Sequence, residues 1–133
     1  PVSALARNYF PEGYPDDHPM VPHGISVILT APAIFRWTAE ANPDRHLEAA
    51  RLMGVDTRGA APEDGGALLS GFLEDLMKRV EMPNGLNGVG ITEDDLPALV
   101  TGTIPQQRIT QLSPRPATDD DYAAMFREAM RYW

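Results

Sequence analysis

The chain has 133 residues, 43% hydrophobic and 23% charged, enough for one packed domain and too apolar for a disordered tail. Its net charge of -8 comes with no Lys/Arg cluster, which argues against nucleic acid and membrane surfaces as partners. With no cysteine there is neither a disulfide framework nor thiolate chemistry, a composition that fits a reducing compartment.

Residues 1–9 read as a short helix or the end of one. Residues 10–22 hold four prolines and one glycine, and read as an ordered loop because proline blocks a continuing helix. From His23 to Ala41 the chain is apolar nearly all round, through Ile25, Val27, Ile28, Leu29, Ile34, Phe35 and Trp37. Its length predicts one buried helix kinked at Pro32, whose ring clashes with the carbonyl of Ile28. The longest apolar stretch within it, Ile25 to Trp37, is interrupted by Ser26, Thr30, Pro32 and Arg36 and falls short of the roughly 20 residues that a membrane span needs.

Asn42 caps the next helix, with Pro43 at its first position and Gly54 just past its end. Leu69, Phe72, Leu73, Leu76 and Val80 then predict an amphipathic helix, with Ser70, Glu74, Asp75, Lys78 and Arg79 on the outer face. Gly85 to Gly90 is glycine-rich, but no strand precedes it, so it reads as an irregular turn rather than a phosphate cradle. Thr92 with Asp95 predicts a capped short helix carrying Leu96, Leu99 and Val100. Thr118 before Asp119, Asp120 and Asp121 predicts a last helix with a stripe through Tyr122, Met125, Phe126, Ala129, Met130 and Trp133. No strand pattern and no repeat emerge. The expected fold is all-α, a helical bundle with proline-rich joints, spanning 1–133 as a single domain.

The acidic triplets at 93–95 and 119–121 follow helix-capping threonines, so capping and the helix dipole account for their charge. His46 lies inside a capped helix with no ligand-spaced partner and reads as a partly buried polar residue. His18 and His23 sit in a rigid loop leading into the apolar helix. His23 would stand at the N-terminus of that helix, where the dipole favours the neutral imidazole that a metal requires. One histidine cannot hold a metal, and read alone His23 is sooner a loop residue that helps to cap a helix than a ligand.

The octapeptide from Asp17 to Gly24, DHPMVPHG, resembles a segment of the iron-containing (group III) alcohol dehydrogenases. Pro43 to Ala50, Leu96 to Val100 with Gly102-Thr103, and Leu112 to Pro116 resemble further segments in the same order. Together they are most similar to the hydroxyacid-oxoacid transhydrogenase branch, over essentially the whole chain. The resemblance implies a helical C-terminal domain behind an α/β nucleotide-binding domain lying upstream of Pro1. It implies a divalent metal, iron or zinc, held by one Asp and three His, with His23 as the Pro-His-Gly ligand and the others upstream. It also implies NAD in the full-length enzyme, with neither a catalytic nor a cofactor-binding residue inside this chain. The loop from Asn8 to Val21 is longer than in ordinary members, and its His18 is a substrate-pocket candidate. The implied reaction moves hydride from a 4-hydroxy acid such as 4-hydroxybutyrate to bound nicotinamide and then to 2-oxoglutarate. The implied partners are the nucleotide-binding domain, a small hydroxy or oxo acid, and further copies in a homo-oligomer. The implied location is cytoplasmic, or mitochondrial in a eukaryote. Composition and periodicity alone equally allow a free-standing helical binding or oligomerisation module without catalysis.

Overall fold

The computed structural model describes residues 1–133, and every regular element in it is helical. In chain order these are α1 (Val2–Leu5), α2 (His23–Ile28), α3 (Ala31–Ala39), α4 (Pro43–Leu52), α5 (Gly65–Arg79), α6 (Leu96–Thr103), α7 (Gln107–Thr110) and α8 (Asp119–Glu128), with short 3-10 turns before α5, before α6 and at Leu86–Val89. No helix is long and apolar enough to cross a membrane.

The expected single kinked helix from His23 to Ala41 is instead two helices, α2 and α3. Pro32 has no amide hydrogen for the Ile28 carbonyl, so the ladder tightens and stops. Thr30 N–H turns back to Val27 at 3.3 Å, and the ladder resumes when Ile34 N–H reaches Thr30 at 3.1 Å. Carbonyls near the break find partners elsewhere. The Tyr132 hydroxyl donates to Leu29 at 3.0 Å and the Ser70 hydroxyl to Pro32 at 2.8 Å.

The long helix α5 packs chiefly on α3 and α4, and α6 packs on α8. Leu69 and Leu73 are buried as the periodicity requires, but the inner stripe runs on through Ser70 and Met77, while Val80 is 58% exposed. The helix has rotated towards its small residues. A Cβ on Gly65 would strike the backbone of Leu47, and one on Gly66 would sit 2.6 Å from the Ala39 Cβ. Small side chains there let three helices approach closely, and that contact outweighs burying Val80.

A second layer gathers Val21, Leu29, Met77, Leu86, Ile91, Leu99 and Met130 into one core. Each such side chain contributes about 1.5–3 kcal/mol when fully buried. The glycine-rich stretch is the irregular turn that its context implied, and it serves as a docking strip for the C-terminus. Leu86 N–H donates to Ala129 at 2.9 Å and Asn87 N–H to Met130 at 3.0 Å. Gly85 has φ +63°, and a Cβ there would lie 2.5 Å from the Ala129 oxygen, so no other residue fits without strain. The Asn84 side chain completes the strip, accepting from Tyr132 N–H at 2.8 Å and donating to the Trp133 carbonyl.

Candidate metal centre

The loop carrying both candidate histidines is closed at its base. Met20 N–H donates to the Tyr9 carbonyl at 2.9 Å, and Val21 and Pro22 are buried immediately before α2. Extended backbone at Pro22 (ψ 147°) delivers His23 as the first residue of the helix. His23 is exposed; its carbonyl accepts from the Ser26 hydroxyl at 2.8 Å, and its imidazole makes no hydrogen bond. The Pro32 break leaves α2 only 6 residues long, so the dipole behind His23 is shorter than a continuous helix would give.

His18 stands at the tip of the same loop with 63% of its side chain exposed, and its Nδ1 pairs with the Asp17 carboxylate at 2.7 Å. It lines none of the three main cavities. His46 is the buried histidine. Its Nδ1 donates to the Asn42 carbonyl at 2.8 Å, its Nε2 pairs with the Thr38 hydroxyl at 2.8 Å, and Phe35 meets the ring edge-on.

The limb in front of the loop is tied down by a pair that the sequence did not reveal. Arg7 donates twice to the carboxylate of Asp95, at 3.0 and 2.5 Å, across 88 positions. Asp95 is also the helix cap that the sequence predicts, since Thr92 N–H donates to it at 2.9 Å. The guanidinium of Arg7, then the Thr92 amide, hold this carboxyl below the usual carboxylate range. Nothing in the local sequence of Arg7 could have named its partner. Through this clamp, α1 and the Tyr9–Met20 bridge are fixed to α6, and the start of α2 inherits that fixed position.

No three His, Asp or Glu side chains converge anywhere in the chain. His23 is a single exposed imidazole that belongs to no such group.

The description "Fe-containing alcohol dehydrogenase family, C-terminal" matches residues 19–130. The chain belongs to this family. Among curated relatives of the iron-containing alcohol dehydrogenase chain, the mitochondrial hydroxyacid-oxoacid transhydrogenase of Pongo abelii is 45% identical over all 133 residues, which make up 28% of that protein. The Homo sapiens protein of the same name is 44% identical over the same span, again 28% of its length. A probable mitochondrial hydroxyacid-oxoacid transhydrogenase from Dictyostelium discoideum is 46% identical over 97% of this chain and 24% of its own. The chain thus spans under a third of the relatives it matches. Among solved structures, an alcohol dehydrogenase from Oenococcus oeni superposes with a TM-score of 0.76 at 27% identity, covering 82% of this chain and 28% of that one. A 1,3-propanediol oxidoreductase gives 0.75 at 26% identity, with the same coverage. The helical architecture is thus that of iron-containing alcohol dehydrogenases.

Proposed function

We propose that this chain is the helical part of a metal-dependent, NAD-linked hydroxyacid-oxoacid transhydrogenase, and that His23 supplies one ligand to its divalent metal, iron or zinc. The single observation that carries the reading is the free, exposed imidazole of His23 at a fixed helix start, in a chain over 40% identical along its whole length to proteins so named. In this reading a nucleotide-binding domain outside these 133 residues brings the remaining ligands and NAD. The substrates are a 4-hydroxy acid such as 4-hydroxybutyrate and 2-oxoglutarate, and the compartment in a eukaryote is the mitochondrion, the word carried in the relatives' names.

When bound, the metal would act as a Lewis acid on the alcohol or carbonyl oxygen of the substrate. The work of this chain is positional. Pro22 sets the entry angle, α2 orients the imidazole, and the clamp from Arg7 to Asp95 keeps the loop base in register. His18 reaches outwards from the same loop and is the candidate for substrate handling, with Asp17 orienting its ring.

The test is metal analysis with hydride-transfer rates on the full-length protein. His23→Ala is expected to lower metal content and nearly abolish turnover with the helical spectrum intact, because one lost ligand weakens both affinity and Lewis acidity. His18→Ala should shift substrate handling more than metal content. His46→Ala serves as control: it should destabilise by about 1–3 kcal/mol through its lost hydrogen bonds yet retain metal. Full metal and normal turnover in His23→Ala would overturn the assignment.

A further inference from the structure

Between α3, α8 and the segment that joins α6 to α8 lies a cavity of ≈ 400 Å³. That volume falls within the range of sites that hold small molecules, about 300–1,000 Å³. Its apolar walls come from three places in the chain: Ile34 and Trp37 on α3, Ile109 and Leu112 on the connecting segment, and Met125 and Phe126 on α8. Of the 14 residues that line it, none is Asp, Glu, Lys, Arg or His.

Two wall residues carry a polar atom without a partner, the Trp37 indole nitrogen and the Ser113 hydroxyl, while the threonines are spent. Four threonines line the cavity, and each hydroxyl is already engaged: Thr30 donates to Val27 at 3.2 Å, Thr103 to Leu99 at 2.9 Å and Thr110 to Gln106 at 3.4 Å, while Thr38 pairs with His46 Nε2 at 2.8 Å. A charged guest would lose its hydration and gain no counter-charge, which is costly in an apolar site. A neutral apolar guest would lose little and gain by the hydrophobic effect.

The connecting segment is held in place over the cavity at one end. The guanidinium of Arg115 stacks 4.3 Å from the Trp37 ring centroid, donates to the Trp37 carbonyl at 3.3 Å and pairs with Glu40. Further back along the segment, Ile109 and Leu112 border the cavity while remaining 57% and 83% exposed. The wall is therefore anchored by a cation–π contact at one point and loosely packed at the other, an arrangement that admits a guest without unfolding a helix.

We propose that this cavity is a binding site for a neutral, predominantly apolar small molecule of about the size of one substituted aromatic ring. Neither His18 nor His23 lines it. Its chemistry is also the reverse of what a hydroxy or oxo acid requires, because no cation waits there for a carboxylate. The proposal stands independently of the role given to His23.

The test uses two fluorinated probes of matched shape, 4-fluoroacetophenone and 4-fluorobenzoate, observed by fluorine NMR line broadening against the protein. The ketone is expected to bind with at least tenfold higher affinity than the carboxylate. Ala117→Phe and Ile34→Trp each fill the cavity and should weaken the ketone at least tenfold, with an unchanged helical spectrum reporting the fold. Val27→Phe, on the exposed side of α2, should leave binding as it was. The proposal is overturned by no ketone binding at millimolar concentration, as when Leu112 folds inwards and closes the space. It is equally overturned by equal affinity for the two probes, or by unchanged ketone binding in both well-folded cavity-filling variants.

Discussion

A buried imidazole is tolerated when both ring nitrogens find partners, and His46 meets that condition through Asn42 and Thr38. The sequence predicts a partly buried residue at that phase of a capped helix, and the structure buries it further. Arg7 and Asp95 were not legible as a pair, since an ion pair across 88 positions leaves no local signal. The pair sets a pH dependence. Asp95 is held low by Arg7 and Thr92, so its stabilisation is complete above its unfolded value, near 3.9, and is lost as pH falls through the lower folded value. Asp121 adds to the same slope, lowered first by the Thr118 amide and then by the Thr118 hydroxyl. Acid titrations of unfolding should show Asp95→Asn weaker than wild type at pH 7 and flatter below about pH 4. An unchanged slope would remove the clamp from the account. Beneath the segment after α7, the Ser113 hydroxyl and the Trp37 indole nitrogen are buried without hydrogen-bond partners. Ser113→Ala removes an unsatisfied group and should raise stability by about 1 kcal/mol in denaturant titrations.

Helix boundaries were the most readable feature at the scale of elements, because capping is local chemistry. Asn42 accepts from Arg45 N–H at 3.3 Å, and Thr118 exchanges bonds with Asp121, accepting from its amide at 3.2 Å and donating at 2.7 Å. Thr118→Ala should therefore cost about 0.5–2 kcal/mol, visible as a lower thermal midpoint. Two features needed the neighbouring elements. Pro32 could have kinked a helix or ended it, and it ended it because Tyr132 and Ser70, distant in sequence, supply hydrogen bonds to carbonyls beside the break. The buried face of α5 could not be set from its own apolar residues, because Gly66 and Ser70 matter by being small enough for α3 to approach. Gly66→Ala tests that. Its added methyl would meet the Ala39 Cβ at 2.6 Å. The expected net loss is about 1–3 kcal/mol, against a helix-propensity gain of about 0.5–1 kcal/mol. A more stable variant would show that the interface is looser than drawn.

For the whole molecule, the helical class followed from periodicity, and the far-UV spectrum should be strongly helical with cooperative unfolding. Absorption dominated by β-structure would contradict the fold. Sequence patterning could not say which apolar residues stay outside. Val27, Leu52, Ile109 and Leu112 are all more than half exposed, at 52%, 71%, 57% and 83%. Such side chains mark contact surfaces when they cluster. Sedimentation at rising concentration is expected to show self-association, and a strict monomer with no dye-detectable apolar surface would count against it. Calorimetry with NAD should show negligible binding to these 133 residues, since no strand–glycine loop–helix unit is present and the net charge of -8 opposes a pyrophosphate.

The hydrogen bond from Tyr132 to Leu29 joins residues 103 positions apart, and the Asn84 side chain holds the backbone of residues 132 and 133. On the ribosome, α2 and α3 emerge before Tyr132 with the carbonyl at their junction uncapped, and α5 can pack against α3 and α4 before residues 129–133 are made. The core around Leu29, Leu86 and Met130 cannot close until residues 129–133 leave the exit tunnel. A nascent chain stalled with residues 129–133 still inside the tunnel should therefore stay susceptible to protease at the α2–α3 junction, while the α3–α5 contact is already protected.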